Sequence, residues 1–326
     1  MLSSESMLTA RDDHLTHLPE SDAAGWFDRF WVNAHSLDGR IAISQGLGVY
    51  RNTGVMDAFA IVVRGREQRI VRTSRALGSD VGPIEVGPIS AAIEEPLRRW
   101  RFRLAPENDA GVAYDFAFAG AFAPIDCDRM RDWSHFVQAG HAQGSLTIDG
   151  ERIALAPASW RAGRDRSWGL RPETATRFNW VCAQSESWHV WYLAVENAAG
   201  EQRVAQGFVR DRERVERLAR IERKPVFDGD GAFRSAEVRL ETESGRPLSL
   251  AVRRLDSSVY LRGGLYGGWR GWRHGDPKGA LHVESERWAL DDPATLHAAE
   301  GLTDHVCEIR IDGEDGIGVF ELNHGT

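Results

Sequence analysis

The feature that most limits the fold of this chain is a series of short strand-like runs that end at turn residues. In residues 99–104, aromatic side chains alternate with arginines, and the alternation resumes after a polar turn in residues 112–118. A period of two predicts strands with one buried and one solvated face. Asp149-Gly150, between two similar runs, predicts a hairpin because this pair adopts the positive φ angles of a type I′ turn. Such runs recur along the chain and predict an all-β protein of antiparallel barrels or sandwiches.

Four segments depart from this pattern. We expect a helical turn at residues 89–95, which Pro96 ends, and a helix near residues 293–300. The densely charged segment 210–220 is compatible with a short helix or a bent strand. Residues 157–172 are rich in Trp, Arg and Gly, and they predict a long irregular loop of the kind that is usually functional or a hinge.

The length of the chain predicts two domains. With 326 residues it is too long for one ordinary barrel or sandwich, and it fits two units of about 150 residues each. Apolar residues make up 42% of the sequence, which is enough to build a core in each unit. The irregular mid-chain segment gives the predicted boundary, between an N-terminal domain at 1–156 and a C-terminal domain at 157–326.

Charge and composition argue against several functional classes. The net charge is −8 and the arginines are scattered among acids, whereas nucleic-acid binding needs basic patches. The chain contains no apolar run of about 20 residues, which is the length that predicts membrane insertion. Residues 1–20 are polar and lack the features of a secretory signal, so we expect a cytoplasmic protein. Cys127, Cys182 and Cys307 form no CxxC pair and are predicted to be buried free thiols.

The sequence lacks the familiar motifs of zinc peptidases, serine hydrolases and P-loop nucleotide-binding enzymes. It contains no His-Glu-x-x-His, no Gly-x-Ser-x-Gly and no P-loop. The histidines at 135, 141, 274, 282 and 305 show no paired spacing typical of metal ligands. We therefore expect no metal and no cofactor. The carboxylates in apparent strands are expected to face the surface, and Glu321 near the end of the last strand is the one to test for a catalytic role.

The run Gly-Arg-Asp-Arg-Ser-Trp-Gly-Leu-Arg-Pro at residues 163–172 resembles the Asp-His-x-Trp-Gly signature of a known superfamily. This is the carotenoid 1,2-hydratase (hydroxyneurosporene synthase)-like superfamily, which includes AttH-like proteins. Shorter segments match it in the same order, at residues 46–50, 55–58, 143–150 and 312–321. The resemblance covers most of the chain. It implies two lipocalin-like antiparallel β-barrel domains packed side by side.

The resemblance also implies a pocket for an isoprenoid- or polyketide-like ligand, with chemistry of the hydratase, isomerase or cyclase type. The acid of the motif falls on Asp165 and its tryptophan on Trp168, while Arg166 stands where the family has a histidine. A Tyr-x-Asp pair of the carotenoid hydratases is replaced by Trp-Tyr-Leu-Ala at residues 191–194. These departures argue against carotenoid hydration itself. The predicted catalytic residues are Asp165, Arg166 and Trp168.

Acid-catalysed hydration of an alkene needs a proton donor, a stabilised cation and a positioned water. The faces of Trp168, Trp188 and Trp191 could stabilise the cation. Asp165 is a proton donor only where burial raises its pKa, and the arginines beside it favour the carboxylate. From the sequence, Asp165 is therefore an acid, a base, an orienting group or part of a structural ion pair.

Several further residues are candidates for substrate binding. Arg171 has the planar fork that binds carboxylates or phenolates, although a solvated loop arginine is the alternative. Residues 188–193 predict a central strand that is apolar on both faces, in which His189 is a general base or a core histidine. The glycine-rich run 262–273 predicts an aromatic loop at a barrel mouth. The predicted substrate-binding residues are Arg171, Trp188, His189, Trp191, Tyr192, Tyr266 and Trp269.

Two functions remain open from the sequence. The first is a cofactor-free lyase or isomerase that acts by acid/base chemistry on a terpenoid, steroid-like or aromatic molecule in a Trp-lined pocket. The second is a non-catalytic binding or carrier protein for the same kind of hydrophobic small molecule. An enzyme needs an acid or base within hydrogen-bond reach of its ligand, whereas a carrier can have a purely apolar pocket. Long strand edges would also allow a homodimer.

Overall fold

The structure is a computed structural model that describes residues 8–19, 24–79, 81–127, 133–170, 177–197, 199–211 and 214–323. Antiparallel strands make up most of it, which confirms the predicted all-β class. They form two β-barrels side by side, the first nearly closed and the second closed. No helix in these described ranges is long and apolar enough to cross a membrane.

The first barrel is a 13-stranded sheet. Its strands are β1 (Trp26–Ser36), β2 (Ile41–Tyr50), β3 (Val55–Arg64), β4 (Glu67–Ala76), β5 (Glu85–Val86), β6 (Ile89–Glu95), β7 (Arg99–Leu104), β8 (Val112–Gly120), β9 (Ile125–Asp126), β10 (Trp133–Ile148), β11 (Glu151–Leu155), β12 (Trp160–Leu170) and β19 (Leu281–Ala289). Bonded neighbours run β19-β4-β3-β2-β1-β12-β10-β8-β7-β6-β5, with β9 and β11 beside β10. Near the seam, Arg75 Nε donates to the Glu85 carbonyl over 2.8 Å and holds the ends of the sheet together.

The second barrel has eight strands and closes by pairing its last strand with its first. Its strands are β13 (Arg177–Gln184), β14 (His189–Glu196), β15 (Gln202–Arg210), β16 (Val215–Phe227), β17 (Phe233–Thr242), β18 (Pro247–Tyr260), β20 (Leu302–Ile311) and β21 (Glu314–Asn323). Helical structure is limited in the described residues to α1 (Pro293–Ala299) and two 3₁₀ turns (Ala10–Asp13 and Leu261–Gly264). Asp292 caps α1 by accepting from the backbone N–H of Thr295, which confirms the predicted helix.

The sheet topology places the boundary between the two barrels after β12 and not between residues 156 and 157. β12 pairs with β1 on one side and β10 on the other, so the motif strand belongs to the first barrel. The predicted division between residues 156 and 157 therefore cuts through the first sheet. In addition, β19 comes from the C-terminal half of the chain yet pairs with β4 of the first barrel. The first barrel is thus built from chain on both sides of the predicted boundary, whereas every strand of the second barrel lies on its C-terminal side.

Two local predictions were wrong. Residues 160–170 form a strand rather than an irregular loop, because the arginines on one face are buried against acids inside the first barrel. Residues 89–95 form a strand that pairs with β7 instead of a helical turn, and Ile89 is buried there opposite Leu104. The hairpin between β10 and β11 is confirmed, with φ angles of 48° at Asp149 and 86° at Gly150.

Alternation along the strands separates three apolar clusters in the described residues. On β1, Phe30 and Val32 belong to the interior of the first barrel, whereas Trp31 belongs to a cluster between the barrels. Trp180 of the second barrel joins Trp31 in that middle cluster, and Tyr192 belongs to the second-barrel interior. The middle cluster therefore holds the barrels against each other and forms the surroundings of the site described next.

Candidate functional site

A pocket opens where the two barrels face each other. Strands β1, β10 and β12 contribute its first wall, β13 and β21 contribute its second, and the loop after Leu261–Gly264 contributes one side. Its cavity volume is about 50 Å³. The lining residues are Trp31, Trp133, His135, Asp165, Phe178, Trp180, Tyr266, Leu302 and Glu321. The pocket is therefore narrow and largely aromatic, with a few groups that can carry or accept a proton.

The alternation of β12 decides which part of the sequence motif reaches this pocket. Asp165 points toward the second barrel, whereas Arg164 and Arg166 on either side of it point into the first-barrel interior. There, Arg166 donates to both oxygens of Asp28, and Arg164 lies 2.7 Å from Asp13. The flanking arginines are thus paired with other acids, and Asp165 faces the pocket without them.

Asp165 forms a hydrogen-bonded pair with His135 on the neighbouring strand β10. His135 Nε2 lies 3.1 Å from Asp165 Oδ2. The side chain of Asp165 is 20% exposed and that of His135 only 2%, so the carboxylate is the accessible member. The imidazole stacks on Trp133 with 5.3 Å between ring centroids, and it meets Trp191 edge-on at 5.4 Å. The rings around His135 therefore hold the pair in one orientation.

The second barrel contributes two acids that lie side by side. Asp304 on β20 and Glu321 on β21 are direct partners in the antiparallel register, so their side chains share one face. Asp304 is buried, and Glu321 is the member that lines the pocket. Burial raises the pKa of Asp304 to about 7; a hydrogen bond with Glu321 offsets part of the rise, and the charge of Asp165 adds to it. The acid pair therefore retains a proton at pH values where an ordinary aspartate has lost it.

The aromatic walls are fixed by contacts of their own. Trp31 donates from Nε1 to Ser44 Oγ over 2.9 Å, and its ring meets that of Trp180 at 5.2 Å in a nearly perpendicular arrangement. Trp133 is held by its stacking on His135. Tryptophan rings can stabilise a nearby cation through the negative charge of their faces. The pocket therefore combines acids with rigid aromatic surface.

Two of the three predicted catalytic residues lie away from the pocket. Arg166 and Trp168 point into the first barrel, where Arg166 is wholly buried in its ion pair with Asp28. Trp168 stacks on His17 at 4.0 Å and lies 5.3 Å from the Arg166 guanidinium. These contacts stabilise the first barrel. Of the predicted catalytic group, Asp165 is the member at the pocket.

The predicted binding residues of β14 are divided by strand alternation. Trp188 and Tyr192 belong to the second-barrel interior, where the Tyr192 hydroxyl donates to Asn179 Oδ1 over 2.8 Å. Burial raises the pKa of Tyr192 well above its ordinary value. These two aromatic residues therefore pack the barrel and do not line the pocket.

His189 and Trp191 face the other way, into the cluster between the barrels. Trp191 reaches the pocket indirectly, through its edge contact with His135. His189 lies 3.5 Å from the thiol of Cys182 and packs edge-on against Phe208. Burial, together with the charge of Arg210, lowers the pKa of His189 to about 3. It is thus a neutral core histidine, which was the alternative interpretation of this residue.

The glycine-rich segment contributes one pocket residue. Tyr266 lines the pocket, whereas Trp269 lies farther along the segment and donates from Nε1 to Glu286 Oε2 over 2.8 Å. That carboxylate also pairs with the buried Arg72, so Trp269 anchors the segment to the first barrel. Arg171, the remaining predicted binding residue, lies outside the described residues.

The site also contains acid-base residues that local sequence motifs did not reveal. His135 and Asp304 have no recognisable motif around them, and Glu321 stood out because of its place near the end of the last strand. These residues come from strands far apart in the chain, and the register of the two sheets brings them together. The single signal within the sequence would have been a polar residue on an otherwise apolar strand face, as at Asp304 between Leu302 and Val306.

Comparisons with known proteins agree with this architecture. Residues 11–325 match one family, described as a family of unknown function (DUF8625). Among solved structures, a Nitrosomonas europaea protein described as AttH gives a TM-score of 0.61 at 12% identity, over 92% of this chain and 93% of its own. Kievitone hydratase from Nectria haematococca gives 0.59 at 12% identity, over 99% and 94%. CghA with Sch210972 gives 0.55 at 12% identity, over 92% and 88%.

These similarities concern the fold. They show that the chain shares its two-barrel architecture with these solved structures. No curated protein sequence matches the chain. Activity has to be argued from the pocket itself, because one fold supports many functions.

Proposed function

The chain belongs to the DUF8625 family, and we propose that it is a lyase or isomerase of the hydratase type that works in the pocket between the barrels. The proposed substrate is an apolar, unsaturated molecule of the terpenoid, steroid-like or aromatic class. The proposed chemistry uses acid and base side chains without a cofactor. The observation that carries the proposal is the acid pair of Asp304 and Glu321, which holds a proton near neutral pH beside the Asp165–His135 pair.

The acid pair is the proposed proton donor. Two adjacent carboxyl groups that are shielded from water favour a state with one shared proton, because two negative charges repel each other. Glu321 faces the pocket, so it would pass this proton to one carbon of the alkene. The π electrons form the new C–H bond and leave a cation on the neighbouring carbon. The transfer leaves both Asp304 and Glu321 ionised until the pair takes up one proton again at the end of the cycle.

The resulting cation would lie beside aromatic rings and a carboxylate. The three pocket tryptophans are Trp31, Trp133 and Trp180, and each ring face stabilises a cation by about 0.5–2 kcal/mol. The negative charge of Asp165 adds an attraction that grows as water is displaced from the narrow pocket. Stabilisation of this intermediate is what an acid-catalysed addition or isomerisation requires.

Asp165 and His135 would then determine the product. As a base, Asp165 can take a proton from a water that attacks the cation, which gives hydration. It can instead take a proton from a carbon next to the cation, which gives an isomer. A cavity of about 50 Å³ accommodates a few water molecules at roughly 10–15 Å³ each, so the attacking water fits. Exchange with solvent restores the protonation of both acid groups.

A ring-containing substrate needs more room than this cavity offers, and Tyr266 is the proposed gate. It is followed by Gly267 and Gly268, with φ angles of +75° and +80°, a backbone conformation that glycine adopts without strain. A change in the backbone conformation of this segment would move Tyr266 and widen the pocket, while both barrels keep their packing. Support for a ligand site also comes from two proteins of similar fold, one named a hydratase and one solved with a bound small molecule.

The function is tested by incubating the protein in heavy-oxygen water with terpenoid, steroid-like and aromatic alkenes and analysing products by mass spectrometry. A product that carries the heavy oxygen indicates a hydratase, and a product of unchanged mass indicates an isomerase or cyclase. We expect Asp304→Asn and Glu321→Gln to slow product formation about 100-fold or more. The control is Asp315→Asn, which changes an exposed carboxylate of the same strand, paired with Arg310, and should keep the full rate.

Two results would contradict this function. If the panel is retained by the wild type but never converted, the carrier interpretation replaces the enzyme. If a product forms at equal rates with Asp304→Asn, Glu321→Gln and Asp315→Asn, the protein is an enzyme whose acid lies elsewhere. Circular dichroism of each variant checks that the barrels are intact.

A further inference from the structure

Next to the pocket, an arginine lies on the same face of β1 as Trp31. This residue, Arg29, is opposite Ser167 of β12 in the register, and Ser167 is opposite His135 of β10. Direct cross-strand partners have Cβ atoms about 5 Å apart. Arg29 is therefore one strand away from Asp165 and two strands away from His135, on the wall that faces the second barrel.

Aromatic rings surround the Arg29 side chain. Its Nε donates to the Tyr50 hydroxyl over 2.7 Å. The guanidinium carbon lies 4.8 Å from the centre of the Phe27 ring, 5.4 Å from that of Tyr50 and 5.9 Å from that of Tyr266. Because Tyr266 also lines the pocket, the arginine and the pocket share one wall. The hydrogen bond to Tyr50 uses Nε, so the terminal N–H groups of the guanidinium are the ones that another partner could use.

Arg29 differs in charge pairing from other arginines of this barrel. Arg164 and Arg166 each form an ion pair with an aspartate, and the buried Arg72 lies between two glutamates. Within the described residues, no carboxylate lies at ion-pair distance from Arg29, although it is partly buried. A partly buried cation without a counter-ion is costly to desolvate further, so an incoming anion would be favoured there.

The nearest acid that influences Arg29 is already engaged in another contact. Asp57 accepts from the backbone N–H of Gly275 over 2.7 Å with one oxygen, and its other oxygen lies 3.3 Å from His274 Nδ1. These contacts tie the glycine-rich segment to β3. Burial disfavours the charge of Arg29, but Tyr50, Tyr266 and Asp57 together raise its pKa, so the guanidinium stays charged although Asp57 forms no ion pair with it.

We propose that Arg29 is an anion-binding subsite of the pocket and that the substrate carries a carboxylate or a related planar oxyanion. This inference rests on the proposed function, and it narrows the substrate class from any apolar alkene to an acidic one. The oxyanion would bind to the outer N–H groups of Arg29, while the apolar body passes Tyr266 into the pocket. An arginine fork matches two carboxylate oxygens, which also fixes the direction in which the substrate lies.

The test uses cinnamate and cinnamyl alcohol, two aromatic probes of similar size, of which only the first carries a carboxylate. Ligand-observed NMR titration gives an affinity for each. We expect wild type to bind cinnamate more tightly than the alcohol. Arg29→Met should weaken cinnamate binding about 10- to 100-fold and leave the alcohol nearly unchanged, because only the anion uses the charge. Arg29→Lys keeps the charge without the fork and should give an intermediate affinity for cinnamate.

The control is Arg64→Met, which removes a half-exposed arginine that pairs with Glu151 on the same barrel. It should change neither affinity. If Arg29→Met weakens both probes equally, or neither, Arg29 is no anion site. If the Met variant does not fold, wild type and Arg29→Lys are compared instead. If each of these two proteins binds cinnamate no more tightly than cinnamyl alcohol, Arg29 is no anion site.

A fourth variant separates this inference from the proposed function. Trp180→Ala removes a pocket wall and should weaken both probes. If it does so while Arg29→Met leaves the affinity for cinnamate unchanged, the pocket is confirmed as the binding site and the proposed acidic substrate class is wrong. If neither probe binds wild type, the pocket does not take aromatic ligands, and both proposals fail together.

Discussion

The interior of the first barrel and the pocket between the barrels both use β12, yet they treat charge in opposite ways. In the interior, Arg164 and Arg166 each face an aspartate, and the four groups are almost wholly shielded from water. Every one of these charges has an opposite charge in contact with it. The contacts of Asp13 with Arg164 and Trp100 also hold the N-terminal 3₁₀ turn against this barrel.

Asp165, which lies between these two arginines on the same strand, faces the pocket, where groups of like charge come together. Asp165 faces an acid pair, and its negative charge helps to raise the pKa of Asp304. An arrangement that repels itself is unfavourable for stability and useful for proton transfer. The comparison teaches that residue type does not separate a structural ion pair from a reactive acid in this protein. What separates the two is the face of the strand on which the residue lies.

The largest expected effect comes from breaking a pair in the first-barrel interior. Asp28→Asn leaves Arg166 buried without its counter-ion, and removing one partner of a buried pair typically costs about 3–5 kcal/mol. We expect urea denaturation to show a loss of this size in the free energy of unfolding. The matched control is Asp115→Asn, whose aspartate pairs with Arg101 in an exposed position and should change stability little. Equal losses in both variants would show that shielding does not distinguish the two pairs.

The next effect is a pH dependence that comes from the pocket. Asp304 titrates near pH 7 in the folded protein and near pH 3.9 in an unfolded chain. Between these values the folded state binds more protons, so this group makes the protein less stable as pH rises from about 4 to about 7. The limiting slope is about 1.4 kcal/mol per pH unit. Asp304→Asn removes this term, so the variant should gain stability relative to wild type across that window.

The measurement is urea denaturation of both proteins at several pH values, analysed as a difference. Buried histidines such as His189, whose pKa is lowered to about 3, have the opposite slope. They titrate in wild type and variant alike and cancel in the difference. A difference that stays constant between pH 4 and 7 would mean that Asp304 ionises normally, and the proposed proton donor would lose its physical basis.

Much of the fold could be predicted from the sequence, because strand periods and turn residues act locally. The Asp149-Gly150 hairpin and the helix after Asp292 follow from two or three neighbouring residues. The errors arose where a distant partner decides the outcome. The arginines of β12 suggested a loop, because nothing nearby shows that Asp13 and Asp28 will neutralise them inside a barrel.

The candidate site was less accessible to sequence analysis. Asp165 was found through its motif, but the motif could not show that its neighbours point the opposite way. Glu321 and Asp304 acquire their meaning from the register between β20 and β21, and His135 from the pairing of β10 with β12. Side chains alternate between the two faces of each strand, and this alternation decides where the predicted aromatic residues lie. It places Tyr192 inside a barrel and Trp191 between the barrels.

The smallest expected effect tests that last distinction. Tyr192→Phe removes a hydroxyl that donates to Asn179 in the second-barrel interior, and it should lower the free energy of unfolding by about 1 kcal/mol. The rate of product formation and the affinity for cinnamate should not change. Tyr266→Phe is the counterpart at the pocket, where we expect a change in ligand affinity and little loss of stability. A fall in catalytic rate with Tyr192→Phe at unchanged stability would return this tyrosine to the site and would mean that the second-barrel interior also takes part in the chemistry.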